Sequence, residues 1–116
     1  MAKFEIQYPA SFARSGIKDK ARRDKYRQQR KERGFDDTEL WNLDVTFARL
    51  MLPRLRAFLP LRDELIVVDD KWHADMAAII LALEILSENS VDIDGNREIV
   101  TSGMEAFSRN IMRLWY

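Results

Sequence analysis

The sequence contains one histidine, His73, and it stands among carboxylates. Asp69 precedes it by four residues, so the two side chains would share one face of a helix. Such a pair could bind a metal ion, or could act as a base with its orienting carboxylate. A zinc site needs about three or four ligands, however, and the chain offers no cysteine and no second histidine. We therefore interpret His73 as a surface residue beside helix-capping carboxylates.

A second candidate metal site is the acidic turn Ser90–Gly95. Its first, third and fifth residues carry oxygen atoms at the matching positions of an EF-hand loop, and Gly95 occupies the sixth. The twelfth position, which supplies the bidentate carboxylate for Ca²⁺, is Thr101. The pattern therefore predicts an acidic turn closed by a glycine, with no metal and no cofactor.

Other common catalytic arrangements lack the residues that they need. Without cysteine there is no thiolate nucleophile and no disulfide, which fits a reducing cytoplasm. The glycines stand alone, so no phosphate-binding loop is present. Serine–histidine catalysis would have His73 alone and no nucleophile elbow. We therefore expect a binding protein and not an enzyme.

The strongest candidate for a site is a basic stretch in the N-terminal third of the chain. Residues 17–33 lack glycine and proline and are rich in lysine, arginine and glutamine, so they predict a helix that Gly34 stops. Its apolar residues are too few to bury a face. Tyr26 is the aromatic residue among the cations, so no stacking platform is expected. The cations that we predict to contact a protein or nucleic acid are Lys20, Arg22, Arg23, Arg27, Arg30 and Lys31.

Charge is distributed unevenly along the chain, although the formal net charge is zero. Residues 1–34 contain eleven lysines and arginines and four acidic residues, a balance of +7, whereas residues 35–116 contain eight and fifteen, a balance of −7. Two interpretations stay open: the basic helix meets an external acidic partner, or it pairs with the acidic part of its own chain. We treat residues 1–34 as a segment with the basic helix and residues 35–116 as the helical core, in one domain.

Three amphipathic stretches predict the other helices. Asp36 can cap the first, with Glu39 in the capping-box position. We call this first amphipathic helix the central helix. Pro53 should kink it, and Leu59-Pro60 should end it. Its expected apolar rows are Leu40, Leu43, Phe47, Leu50, Met51, Leu55 and Phe58, and Trp41, Val45, Ala48 and Leu52.

Two further helices follow the central one. Asp69 or Asp70 can cap the third, and Asn96 the fourth. The expected core-facing residues are Trp72, Met76, Ile79, Ile80, Leu83 and Leu86 in the third helix, and Val100, Gly103, Met104, Phe107, Ile111, Leu114 and Trp115 in the fourth.

The pattern as a whole predicts a mainly α, small single-domain bundle of about four helices. Apolar and polar residues alternate at residues 4–8, and residues 65–68 are all apolar, so the sequence allows one short β-strand pair. We expect Trp41, Trp72 and Trp115 to be core anchors. Asp44 is expected to lie half-buried on the central helix, paired with an arginine of the basic helix.

Several spaced motifs resemble a family of small phage and prophage proteins common in phages of Firmicutes. The motifs are Gly34–Asp44 (GFDDTELWNLD), Leu52–Leu55 (LPRL), Trp72, Gly103–Phe107 (GMEAF) and Leu114-Trp115. The resemblance covers roughly residues 34–116 and excludes the basic helix. It implies phage origin, a helical fold and an accessory role, but no chemistry.

Phage accessory proteins of this size often bind and block a host defence complex, and anti-CRISPR proteins are the best-known kind. The resemblance therefore leads us to expect a cytoplasmic protein that binds a macromolecular target in the host cell, without a membrane segment. The alternative is direct binding of nucleic acid through the basic helix. A homodimer is compatible with either.

Overall fold

The computed structural model describes residues 19–66 and 69–116, and within these ranges it contains helices and no strand. The α-helices are α1 (Lys20–Arg33), α2 (Thr38–Trp41), α3 (Leu43–Leu65), α4 (Asp70–Ser87) and α5 (Asn96–Asn110), and a 3-10 turn follows at Ile111–Arg113. The prediction of a mainly α protein is confirmed.

The described residues belong to two compact units, one that ends at Thr46 and one that runs from Phe47 to Tyr116. We call them the first and second units. The division that the sequence suggested, between residues 34 and 35, stays a prediction.

Helix α1 ends at Gly34 as the sequence predicted, and among the described residues it starts at Lys20. The Asp19 side chain caps its start by accepting a hydrogen bond from the Ala21 backbone N–H at 2.9 Å. Gly34 closes it in the left-handed conformation, with φ of 84°, and donates its N–H to the Arg30 carbonyl at 3.0 Å. This φ favours glycine, which has no Cβ to clash with the backbone.

The expected capping box forms, but the helix after it is short. The Glu39 carboxylate accepts from the Asp36 backbone N–H at 2.7 Å, and the Asp36 carboxylate accepts from the Thr38 N–H at 2.8 Å. Helix α2 then stops at Asn42, whose backbone leaves the helical region with φ of −133° and ψ of 76°. The expected single central helix is therefore two helices, because this break interrupts the backbone hydrogen bonding.

Helix α3 passes through both of its prolines, so the prediction that Leu59-Pro60 ends the helix is wrong. Each proline removes one backbone hydrogen bond, and Pro60 lies on an exposed part of the helix where water can reach the carbonyl it leaves unbonded. Leu65 closes α3 and the Ile66 N–H still bonds to Arg62, so the start of the strand expected at 65–68 is helical. Residues 4–8 and 67–68 lie outside the described ranges.

The second unit has an apolar core to which three helices contribute. The expected face of α4 is confirmed, and Met76 lies in this core while Ile80, Met104 and Phe107 pack against it. The face expected for the last helix is wrong at Ile111, which is 50% exposed because the α-helix gives way to a 3-10 turn there. The Phe47 and Phe107 rings meet edge to face at 5.9 Å, although Phe47 is 39% exposed. The buried members are Ala48, Leu52 and Leu55 of α3, Trp72, Met76, Ile79, Leu83 and Leu86 of α4, and Ala106 of α5.

Only one of the three tryptophans is a core anchor. Trp72 is 1% exposed, whereas Trp41 and Trp115 are 55% and 60% exposed, so that the prediction for these two is wrong. Trp41 ends α2 just before the break, and Trp115 follows the 3-10 turn beyond α5, so neither continues a helical face into the core. Helical spacing places a residue on a face only while the helix persists.

Helices α4 and α5 approach most closely at Gly103. A Cβ added there would lie 2.3 Å from the Ala82 Cβ and 2.6 Å from the Ala78 carbonyl oxygen. Glycine is therefore required at this position to let the two backbones pack. Helix α5 is capped by Gly95 and not by the predicted Asn96, whose side chain instead donates to the Ser90 carbonyl at 2.7 Å.

Candidate functional site

Helix α1 has two faces with different surroundings. The residues that contact the segment after Gly34 recur at helical spacing on one side, and we call this side the inner face. It comprises Lys25, Tyr26, Gln29, Arg30 and Arg33.

Arg30 is the inner-face cation with the most buried partner. It forms an ion pair with Asp36, which is 4% exposed and also accepts from the backbone and the hydroxyl of Thr38. A buried carboxylate is stable only when its oxygens are hydrogen-bonded or paired. Arg30 therefore stabilises the turn that starts α2.

Asp37 is the partner of the other two cations of the inner face, Lys25 and Arg33, and of Gln29. Gln29 donates to its carboxylate at 2.9 Å, Arg33 at 2.6 Å, and Lys25 lies 3.7 Å away. Gln29 also accepts from the Asp37 backbone N–H at 2.9 Å, so the amide bonds to both groups of one residue. The hydrogen bond from Gln29, then that from Arg33, holds the pKa of Asp37 below its usual value.

Tyr26 lies on the inner face and is buried. Its exposed fraction is 8%, and its ring meets the Trp41 ring edge to face, with centroids 6.4 Å apart. The aromatic side chain within the basic sequence is therefore used in packing and is not available to stack on a base.

The other side of α1 carries four cations, Lys20, Arg23, Arg27 and Lys31, which we call the basic stripe. All four are exposed, and they extend over about 16 Å of helix axis. Arg27 lies 3.7 Å from Asp24, with both side chains more than half exposed. Within the described part of the chain, no ion pair involves Lys20, Arg23 or Lys31.

The basic stripe does not help the helix to form. Arg23, Arg27 and Lys31 follow one another at four-residue spacing, and like charges at this spacing destabilise a helix by about 0.2–0.5 kcal/mol per pair. Lys20 and Arg23 also lie in the first turn, where the helix dipole disfavours positive charge. The charge of the stripe is therefore not explained by the stability of α1.

The six predicted site residues thus separate into three groups. Arg30 is a structural residue of the inner face. Arg22 lies 3.9 Å from Asp19 at the start of the helix, where the two side chains are 70% and 57% exposed. The other four form the basic stripe.

Of the two interpretations of the charge asymmetry, pairing with the chain's own acidic part describes the inner face of α1. The inner-face cations pair with Asp36 and Asp37, which belong to the acidic part of the chain, and the basic stripe has no such partner among the described residues. The sequence did not distinguish these groups because the burial of Asp36 depends on the turn after Gly34.

The first unit also exposes large apolar side chains after α1. Leu40 is 48% exposed, Leu43 is 60% exposed and Trp41 is 55% exposed. These residues flank the break at Asn42, and we call them the apolar ridge. Exposed leucine and tryptophan side chains close together are typical of protein-binding surfaces.

The other candidate residues from the sequence, His73, Asp69 and Asp44, make the contacts of structural residues. His73 lies 3.6 Å from Asp63 and not beside the Asp69 carboxylate, which caps α4 by accepting from the Trp72 N–H at 2.8 Å. Asp44 is exposed in the first turn of α3, where the helix dipole favours its charge, so the expected buried pair with an arginine is wrong. In the described ranges no three metal-ligating side chains converge.

A polar cluster in the second unit was missed by sequence reasoning. The Arg62 guanidinium stacks on the Trp72 ring, 3.8 Å from its centroid, and Arg113 lies over the same ring at 5.1 Å. The Asn110 side chain, 2% exposed, donates to Asp75 at 2.9 Å. That bond and the one from Arg109 lower the pKa of Asp75. No spacing rule brings Arg62, Trp72 and Asn110 together, because they come from three different helices, α3, α4 and α5.

None of the helices in the described ranges has the length and apolar character to cross a membrane. Comparison of the chain with protein-family models, with curated proteins and with solved structures gave no match.

Proposed function

We propose that this protein is a phage accessory protein that binds a macromolecular target through α1 and thereby blocks a host defence complex, as anti-CRISPR proteins do. It acts by binding in the host cytoplasm and not by catalysis. The observation that carries the proposal is the division of α1. The inner-face cations pair with Asp36 and Asp37, whereas the basic stripe stays exposed, and Lys20, Arg23 and Lys31 form no ion pair among the described residues. The resemblance of the sequence motifs to those of phage proteins supports the phage origin.

The apolar ridge favours a target that contains protein. Leu40 and Leu43 offer about half or more of their surfaces to solvent, and apolar surface of this kind contributes binding energy when it is buried in a partner's pocket. Nucleic acid backbones offer no comparable pocket for leucine. A basic stripe and exposed leucines within one unit suit an acidic protein surface or a protein–nucleic-acid complex.

A second candidate function is direct binding of nucleic acid. The spacing of the basic stripe favours it, because successive cations lie about 4.5–6 Å apart along the helix axis and could each contact a phosphate. Binding of this kind weakens by roughly one logarithmic unit per logarithmic unit of salt for each phosphate contacted. Its salt dependence would therefore be steep.

The experiment is a pull-down from bacterial lysate with three forms of the protein. The test variant combines Arg23→Glu, Arg27→Glu and Lys31→Glu. The control variant combines Arg54→Glu, Lys71→Glu and Arg97→Glu, which are exposed cations elsewhere with the same change in charge. Each form is tested with and without nuclease treatment of the lysate.

We expect wild type and control to retain a protein target after nuclease treatment, and the test variant to lose it. Capture that disappears from every form with nuclease supports direct nucleic-acid binding instead. Equal capture by the test variant and wild type would contradict a role for the basic stripe in either function.

A further inference from the structure

Two buried nitrogen atoms in the second unit lack a hydrogen-bond acceptor. They are Nη1 of Arg62 and Nε1 of Trp72, and neither has a partner within residues 19–66 and 69–116. Arg62 is 3% exposed and Trp72 is 1% exposed. A buried donor left unpaired is costly, and a charged donor more so, because its water is removed without replacement.

The two donors belong to side chains that stack on each other. The central carbon of the Arg62 guanidinium is 3.8 Å from the centroid of the Trp72 ring system, Nη1 is bonded to that carbon, and Nε1 is an atom of the indole. One acceptor group placed at this edge of the ring could therefore satisfy both.

The charges around these two donors favour an anionic acceptor. Arg113 lies over the same ring, 5.1 Å from its centroid. The nearest carboxylate in the cluster, Asp75, already accepts from Asn110 at 2.9 Å and from Arg109 at 3.1 Å. Arg62 and Arg113 thus lie at the ring, and neither has an acidic partner among the described residues.

We propose that a carboxylate group binds between Arg62 Nη1 and Trp72 Nε1. A carboxylate has two oxygens, one for each unpaired donor, and arginine recognises such groups well. A phosphate would bring more charged oxygens than these two unpaired donors can bond. The site lies in the second unit and does not depend on the proposed function of α1.

The C-terminal residues lie next to Arg62 and Phe58. The Trp115 carbonyl accepts from Arg62 Nε at 3.2 Å, and the Tyr116 ring lies 6.0 Å from the Phe58 ring. Trp115 and Tyr116 are themselves 60% and 63% exposed, so little buried surface is lost when they move aside. The carboxylate can come from a small free acid or from an acidic side chain of a bound protein.

The test follows the indole N–H resonances of the protein by NMR during titration with sodium acetate, with sodium chloride at matched ionic strength as the reference. Trp41→Phe and Trp115→Phe variants assign the three signals. We expect a saturable shift of the Trp72 signal with acetate and no comparable shift of the Trp41 signal.

Arg62→Met should weaken acetate binding by about tenfold or more, since a hydrogen bond to a charged group is lost. Arg97→Met, which removes an exposed arginine, is the control and should leave it unchanged.

A titration with a capped glutamate peptide distinguishes the two sources. Tighter binding of the peptide than of acetate assigns the site to a partner's acidic side chain, and equal binding assigns it to small free acids. If Arg62→Met does not fold, Arg62→Lys keeps the charge without Nη1 and should also weaken binding. The proposal is overturned if neither acid shifts Trp72 beyond the chloride reference, if phosphate binds more tightly than acetate, or if the folded Arg62 variant binds as wild type does.

Discussion

The two units are stabilised by different kinds of interior. The second unit buries apolar side chains from three helices, with Ile79 and Leu83 fully enclosed. Among the described residues of the first unit, buried polar side chains, Asp36, Thr38 and Glu39, outnumber the large apolar ones. Burial of apolar surface is insensitive to salt and pH, whereas ion pairs depend on both. We infer that the second unit supplies stability and the first unit presents a charged surface at low local stability.

The largest expected effect is in the core of the second unit. Leu83→Ala should lower the free energy of unfolding by about 2–5 kcal/mol, because a fully buried leucine leaves a cavity. Leu81→Ala on the same helix is the control and should cost far less, since Leu81 is 44% exposed. Urea melts of both variants give the comparison. Equal losses would show that burial does not determine stability here.

The next effect is at the contact between α4 and α5. Gly103→Ala should destabilise the protein by about 1–3 kcal/mol through overpacking, although alanine is the better helix former. The added Cβ would meet the Ala82 Cβ at 2.3 Å. Ala82→Gly in the same chain should restore part of the loss. A stabilised Gly103→Ala variant would contradict the close approach of these helices.

A smaller and local effect is expected in the first unit. Asp36→Ala removes the acceptor for the Thr38 N–H and the partner of Arg30, and should cost about 1–2 kcal/mol. Hydrogen exchange should speed up at the amides of α1 and α2 while those of α4 stay protected. Asp36→Asn, which keeps an acceptor without the charge, should have an intermediate effect. If hydrogen exchange in α4 accelerated equally, the loss of stability would not be local to the first unit.

Acid should weaken both units through one aspartate in each. The pKa values of Asp37 and Asp75 are lowered in the folded protein, so each contributes stability that is complete above the unfolded value, about 3.9. This contribution is lost as pH falls from there through the folded pKa, because the unfolded state binds protons first. Carboxyl NMR titration should give both values below 3.9, and Asp37→Asn should flatten the acid dependence of exchange in α1. A pKa of Asp37 at or above the usual value would contradict its bonds to Gln29 and Arg33.

Local signals in the sequence predicted local structure well. The end of α1 at Gly34, the capping box of Asp36 and Glu39, and the cap of α4 at Asp69 all depend on neighbours within a few residues, and all are present. The errors came where a pattern was extended beyond the element that carried it. The rows of the central helix were continued across Asn42, and the stop at Pro60 was assumed although an exposed proline can be tolerated.

The sequence predicted that the basic residues of the candidate site form a helix. It did not predict that this helix has an inner face and a separate basic stripe. Spacing alone placed Arg23, Arg27 and Arg30 on one side, yet Arg30 turns toward Asp36. That contact depends on how the chain reverses after Gly34, which no helical periodicity encodes. For the same reason the stack of Arg62 on Trp72 was not foreseen, since the two residues lie in different helices.

The central claim is that the basic stripe exists for binding and not for folding. Hydrogen exchange of the α1 amides measures it most directly, in a variant that combines Arg23→Gln, Arg27→Gln and Lys31→Gln, with Arg30→Gln as the matched control. We predict that the opening free energy of α1 is unchanged or rises by up to about 1 kcal/mol in the triple variant, because two like-charge pairs are removed. It should fall in the control, which leaves the buried Asp36 unpaired. A loss in the triple variant as large as that in the control would contradict the account.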